Sequence, residues 1–232
     1  MNEKVLQELI ELDWEKEKAA LATIIRTTGS TPRGAGAQMV VYPDGRTVGT
    51  IGGGCGEAEV KRAALMSLDI GNPCLYRVSL DSVVAAEAGM VCGGNMDVFI
   101  EPVRDATPFQ QLASYWQREE PVVSLTVVRS NKEEIIGQRS FIDLEGRGDW
   151  QGPFLPAQIK EQARRGEYQL VDLSWPEGGG EVEVFVHPVL PVAKLLVLGA
   201  GYVGQAVVRL AGELDFRTTV VDDRVEFANR HN

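Results

Sequence analysis

The stretch Thr47-Val48-Gly49-Thr50-Ile51-Gly52-Gly53-Gly54-Cys55-Gly56-Glu57 decides how the first half of the protein is read. A run rich in β-branched residues enters three consecutive glycines. From Glu57 to Leu68 the residues are good helix formers, with Val60, Ala64 and Leu68 on one side. Strand, tight loop and helix in succession predict an α/β protein. Consecutive glycines let backbone N–H groups converge on an anion without Cβ clashes. A helix N-terminus adds a favourable partial positive charge, which gives a cysteine there thiolate character. A thiolate beside an anion cradle suits a soft ligand that also carries phosphate. Gly52, Gly53, Gly54, Cys55 and Glu57 are therefore candidate cofactor-binding residues, with Cys55 also the candidate metal ligand. The same features fit a small residue in a tight turn.

Upstream, Val5, Leu6, Leu9, Ile10 and Leu12 recur at helical spacing, with Asn2 as a candidate N-cap. Leu21 to Arg26 reads as a strand leading to the loop Gly29-Ser30-Thr31-Pro32-Arg33-Gly34. Arg33 there could pair bidentately with a phosphate or carboxylate, or the loop could be a plain solvated turn. Met39–Tyr42 and Thr47–Ile51 flank Pro43-Asp44-Gly45-Arg46 as a hairpin.

Downstream, Leu75–Leu80 reads as a strand and Asp81–Ala88 as a helix. Gly89-Met90-Val91-Cys92-Gly93-Gly94 is a second glycine loop around a cysteine, making Cys92 and Gly93 further candidates. Helices are expected over Pro108–Glu120 and Pro153–Arg165. Strands are expected over Met96–Ile100, Pro121–Arg129, Ile135–Leu144, Tyr168–Leu173 and Glu181–Val186. Met96–Val103 echoes Val182–Val189, which fits paired strands, an old duplication or the ordinary likeness of strand patterns.

After the linker Pro188–Pro191, the apolar strand Lys194–Leu198 runs into Gly199-Ala200-Gly201-Tyr202-Val203-Gly204. A helix to Leu214 follows, then a strand Arg217–Val221 that ends at Asp222. Gly199, Gly201 and Gly204 with Asp222 match the dinucleotide fingerprint: a tight turn, a pyrophosphate approach, a helix–strand contact and a ribose acceptor. A tight βα turn without a ligand fits them too. Only the first strand, helix and strand of a Rossmann-like unit are present, so the expectation is an incomplete unit: truncated on its C-terminal side, completed by a second protein, or packed against another subunit.

The 232 residues, 44% of them hydrophobic, suffice for a sizeable core. A net charge of -10 argues against a nucleic-acid binder. No apolar run suggests a membrane span or a signal peptide. The cysteines are three, without short paired spacing, so the expectation is a cytoplasmic protein without disulfides. There is no CxxC, and His187 and His231 are the only histidines, which argues against zinc. Cys74 and His187 read as structural.

Taken together and in order, Gly29-Ser30-Thr31-Pro32-Arg33 with Gly36 and Met39, Gly52-Gly53-Gly54-Cys55 with Glu57, Met90-Val91-Cys92-Gly93-Gly94, Glu101-Pro102, and Gly199–Gly204 with Val221-Asp222-Asp223-Arg224 resemble the XdhC/CoxI family. The resemblance implies an α/β protein: an XdhC-type mixed α/β region over 1–191, then a partial Rossmann domain over 192–232. It implies a cytoplasmic molybdenum cofactor (molybdopterin) chaperone rather than an enzyme. Such a protein holds the cofactor during sulfuration and delivers it to a xanthine dehydrogenase-like or CO dehydrogenase-like hydroxylase. A cysteine desulfurase partner and a homodimer are also implied, with Cys55 as leading cofactor contact. Other readings are an NAD(P)-dependent oxidoreductase, from the glycine fingerprint, and a non-catalytic scaffold that docks the hydroxylase.

Overall fold

A computed structural model describes residues 3–14, 16–80, 93–175, 180–214, 216–227 and 229. The expected helix 81–88, the Asn2 cap and Cys92 lie outside these residues. The protein divides into two compact units, Met1–Val189 and Leu190–Asn232.

The first unit holds two antiparallel sheets. One contains β1 (Ala19–Thr28), β2 (Gln38–Val41), β3 (Thr47–Gly49), β4 (Cys74–Ser79) and β5 (Asn95–Val103), in the order β3-β2-β1-β5-β4. The other contains β6 (Val122–Ser130), β7 (Arg139–Ile142), β8 (Gln169–Ser174) and β9 (Glu181–Val189), in the order β7-β6-β9-β8. Strand side chains alternate between faces, and both faces of the central strands are buried. On the outer face of the first sheet, Val60 and Ala64 of α2 (Gly54–Ile70) pack on Ala20, Ala22, Ile24 and Val98. On the outer face of the second, Ile159 and Ala163 of α4 (Ala157–Arg164) pack on Val123, Leu125 and Val184. Between the sheets Ile25, Phe99, Val128 and Phe185 form a small cluster. The apolar face of α1 (Glu3–Glu11) joins α3 (Thr107–Gln117) in a further cluster with Leu21, Val40, Phe141 and Val189.

The echo between Met96–Val103 and Val182–Val189 is a duplication of architecture. β1 meets β5 with Ala19 opposite Val103 and a bulge after Ile24; β6 meets β9 with Val122 opposite Val189 and a bulge after Val127. Thr23 faces Gln38 as Thr126 faces Arg139, and Cys74 faces Ile100 as Gln169 faces Val186. Even the ion pair beyond the bulge recurs: Arg26–Asp97 in one half and Arg129–Glu183 in the other. Two ββαββ repeats, the first with β3 added at its edge, thus place their sheets face to face.

Three expected elements are shorter or longer in the structure. The strand expected over Ile135–Leu144 is a 3-10 turn at Glu133–Ile135 followed by β7 alone. Gly137, at φ 88°, breaks the extended run, and its N–H donates to the Val127 carbonyl. At the other end Asp143 accepts the N–H groups of Glu145 and Arg147 and closes a turn. The helix expected from Pro153 begins only at Ala157, because Pro156 disfavours helical backbone at the residue before it and itself stands at the N-cap with ψ 146°. β9 runs through Pro188 to Val189, because β8 pairs only as far as Val186 and the proline needs no second neighbour.

His187 lies in the layer between the sheets, 4% exposed, with its ring edge-on to Tyr168 and Phe185. Burial, aided by the charge of Arg139, pushes its pKa well below the usual 6.5. The unfolded protein therefore takes up a proton near pH 6.5 that the folded protein refuses, so stability falls as the pH drops below that value. Urea unfolding between pH 7.5 and 5.5 should lose up to about 1.4 kcal/mol per pH unit. His187→Phe should flatten the profile; an unchanged slope would assign it to other groups.

The second unit is a parallel β10–α5–β11 arrangement: Lys194–Leu198, Tyr202–Glu213 and Arg217–Val221, with Leu196 opposite Thr219. Leu196, Leu198, Val203 and Leu210 are exposed on it.

Candidate functional site

The glycine loops distant in sequence meet in the first unit, and glycine makes the meeting possible. A Cβ on Gly52 would sit 2.4 Å from Pro32 Cγ and 3.8 Å from Arg33 Cγ, so the 29–34 loop lies directly on the 52–54 loop. A Cβ on Gly29 would come 2.9 Å from the Gly93 carbonyl oxygen, and one on Gly94 would come 2.4 Å from the Thr28 carbonyl oxygen. Arg33, Gly52 and Gly93, predicted from separate motifs, thus belong to one surface.

Gly52, Gly53 and Gly54 have φ of 129°, 74° and 67°, a run that side chains rarely adopt. Cys55 follows as the second residue of α2 and is exposed. The helix has no side-chain N-cap. The N–H groups of its opening residues have no acceptor within the helix.

The anion cradle, however, is filled from within. One oxygen of Glu57, Oε2, accepts the Thr50 hydroxyl at 2.5 Å, the Gly53 N–H at 3.0 Å and the Ile51 N–H at 3.1 Å. The Gly52 N–H donates to Thr50 Oγ1. Burial pushes the Glu57 carboxyl up, but these hydrogen bonds outweigh it and hold the group below the ordinary carboxylate range. Glu57 is therefore a brace under the loop rather than an outward contact. The Gly53 N–H is committed to it, and the next two residues, Gly54 and Cys55, are exposed. Thr50 was missed in the sequence, where its only signal was its place just before the glycines.

Cys74 is half-buried, and burial raises its thiol pKa. Among the described residues, no group of three His, Cys, Asp or Glu side chains could hold a metal, so Cys55 offers a single sulfur. Among them, too, no helix is long and apolar enough to cross a membrane.

In the second unit, Gly199 has φ 100° and donates its N–H to the Val221 carbonyl. A Cβ on Gly204 would fall 2.0 Å from the Gly199 carbonyl oxygen, so this glycine does serve close helix–strand packing. Gly201 caps α5, with open space where a Cβ would stand. The ribose role expected of Asp222 meets an obstacle. Its carboxylate already accepts both the Arg224 guanidinium, at 2.9 and 3.0 Å, and the Ala200 N–H, at 2.7 Å. Those partners, Arg224 foremost, hold its pKa far below the usual carboxylate range.

The cysteine-bearing loop and its Pro32 neighbour lie in a segment with known relatives: residues 14–79 match the model of the XdhC and CoxI family. That segment is similar to the XdhC and CoxI family. Individual relatives match over longer stretches. The protein is 24% identical over 214 residues to a probable xanthine dehydrogenase subunit from Bacillus subtilis, covering 90% of this sequence and 61% of that one. It is 30% identical over 118 residues to the molybdenum cofactor insertion chaperone PaoD of Escherichia coli, covering 51% and 37%. A crystal structure of a xanthine dehydrogenase from Bacillus halodurans superimposes with a TM-score of 0.65 at 23% identity, covering 98% of this protein and 64% of that one, and shares the fold. The sequence spans less than two thirds of the length of each of these relatives. Within the XdhC and CoxI segment fall Arg33, the Gly52–Gly54 run, Cys55 and the Glu57 brace.

Proposed function

We propose that this protein is a cytoplasmic accessory factor that takes up molybdenum cofactor as cargo at the Cys55 loop. It holds the cofactor during sulfuration and passes it to a molybdenum hydroxylase of the xanthine dehydrogenase or CO dehydrogenase type. One observation carries the reading: within the matched segment, the 29–34 loop lies on the glycine turn that leads into an exposed cysteine in the first turn of a 17-residue helix, and Gly94 packs on that same loop from outside the segment. The names of two relatives, one a molybdenum cofactor chaperone and the other a probable part of a xanthine dehydrogenase, point the same way.

In this reading Cys55 Sγ supplies one soft ligand, and the N–H groups of Gly54 and Cys55 face the anionic part of the cargo. Arg33 stands at the loop that covers Gly52, while Gly93 and Cys92 come from the second glycine loop. Sulfur would arrive from a cysteine desulfurase, and the protein would act as a homodimer. Nucleotide binding by the Gly199–Gly204 turn is left out, because Arg224 and Ala200 occupy the Asp222 carboxylate.

The test is anaerobic titration of purified molybdenum cofactor into the wild type and Cys55→Ser, read by gel filtration and fluorescence of the oxidised pterin. Wild type should retain pterin, and the variant should hold it about tenfold or more weakly, the loss of roughly 1.4 kcal/mol or more of binding. Equal retention would remove Cys55 from the site. No retention by either protein would remove the accessory reading.

A further inference from the structure

The duplicated architecture allows each half to be compared with the other, and at one place the halves differ in a telling way. In the second half, Tyr168 follows the helix-ending Gly166 by two residues, immediately before β8. Its ring covers the left-handed Gly36 so closely that a Cβ there would lie 2.2 Å from Tyr168 Cε1. The ring stacks parallel to Phe185, at an interplanar angle of 7°, and meets His187 edge-on at 5.0 Å.

The strand registers give the matching positions with the two halves exchanged. Pro73, two residues after Gly71, stands for Tyr168; Gly137 for Gly36; Glu101 for His187; and Arg139 for Gln38. Among the described residues, no aromatic ring covers Gly137. A Cβ there would meet only Glu101 Oε2, at 3.7 Å. In place of the ring is a cleft of about 530 Å³, lined by Pro73, Pro102, Phe109, Ile136 and Gly137 with Glu101 and Arg139. That volume is within the range of small-molecule sites.

Glu101 is 8% exposed. Its Oε1 accepts Arg139 Nη2 at 2.6 Å. Arg139 Nε donates to Thr126, and its guanidinium lies over the Phe109 ring. Oε2 has no hydrogen-bond donor among the described residues. Glu101 lines the cleft, where a ligand N–H can reach this oxygen. At the mouth, Asp105, Glu133 and Glu134 outnumber Arg104, which disfavours anions.

We propose that this cleft binds a flat, uncharged or cationic nitrogen heterocycle in the position that Tyr168 fills in the other half. Its edge of adjacent N–H donors, as in a 2-amino-4-oxopyrimidine ring, faces Glu101. The inference is separate from the cargo reading at Cys55, whose loop lines no part of the cleft.

Free pterin and lumazine make the test, because lumazine carries an oxygen where pterin carries the amino group. Titration followed by ring fluorescence anisotropy should show pterin binding to wild type and to Cys55→Ser alike. Lumazine should bind about tenfold or more weakly, since an acceptor would face the carboxylate. Pro73→Tyr should place a ring in the cleft, as Tyr168 does, and abolish binding. Glu101→Gln should weaken pterin binding about tenfold. Equal binding of both rings, undiminished binding by a folded Pro73→Tyr protein, or no pterin binding by wild type would overturn the proposal. The comparison of the two rings on the unaltered protein stands whether or not the variants fold.

Discussion

Arg139→Met is expected to destabilise the first unit by about 3–5 kcal/mol, lowering its thermal midpoint by roughly 10 °C. The side chains of Arg139 and Glu101 are only 7% and 11% exposed and meet at 2.6 Å across the two sheets. Methionine fills much of the arginine volume, so the loss is electrostatic rather than a cavity. It leaves Glu101 buried without its counter-charge and Thr126 without its guanidinium partner. The pair itself need not be worth that much, because taking both ions out of water offsets most of their attraction. The double variant Arg139→Met with Glu101→Leu should therefore recover most of the single loss. Urea unfolding of the four proteins closes the cycle. A double variant as unstable as the sum of the two singles would show that the groups act independently and that the sheets are held by apolar packing alone.

Glu57→Ala is the second large effect, about 2 kcal/mol of stability together with loss of the loop's fixed shape. One carboxylate oxygen collects a hydroxyl and two backbone N–H groups from residues that must hold positive φ at three successive glycines. Without it those donors turn to water and the glycines regain their large conformational freedom. Alkylation of Cys55 should then lose its dependence on the loop, with Glu57→Gln restoring part of it, since the amide oxygen can accept some of the same bonds. Because the Glu57 pKa is lowered on folding, its stabilisation is present above the ordinary value of 4.5 and is lost as the pH falls through the lowered one. Acid unfolding of the alanine variant should lack that component. Identical acid profiles would mean that the brace contributes nothing to the folded state.

Much of the local structure was legible because it rests on local physics. The Asp44-Gly45-Arg46 hairpin turn is read from residues whose backbone and side chains bond one another, the Arg46 N–H donating to Asp44 at 2.8 Å. The strand Lys194–Leu198 and the strand Arg217–Val221 end where expected, the first at a glycine and the second at Asp222. The strand predicted through Ile135 failed for the same kind of reason: Gly137 and Asp143 carried turn chemistry that an apolar count did not weigh.

The candidate site was legible as a set of residues but not as an arrangement. Glycine next to cysteine names a tight, reactive turn. It does not say whether the N–H groups point to solvent or to an internal carboxylate. Glu57 accepts from Gly53, four residues earlier, only because the backbone bends through three left-handed glycines.

By itself, the sequence determined the alternation of strand and helix, the turns, the likeness to the XdhC and CoxI family and the repeated strand ending in proline. These depend on neighbours a few residues apart. Only the tertiary structure decided that the 29–34, 52–56 and 93–94 loops touch, that Glu101 on one sheet meets Arg139 on the other, and that Tyr168 fills one half where Pro73 leaves the other open. Those contacts join residues far apart in sequence, through strand registers and sheet packing that periodicity does not encode.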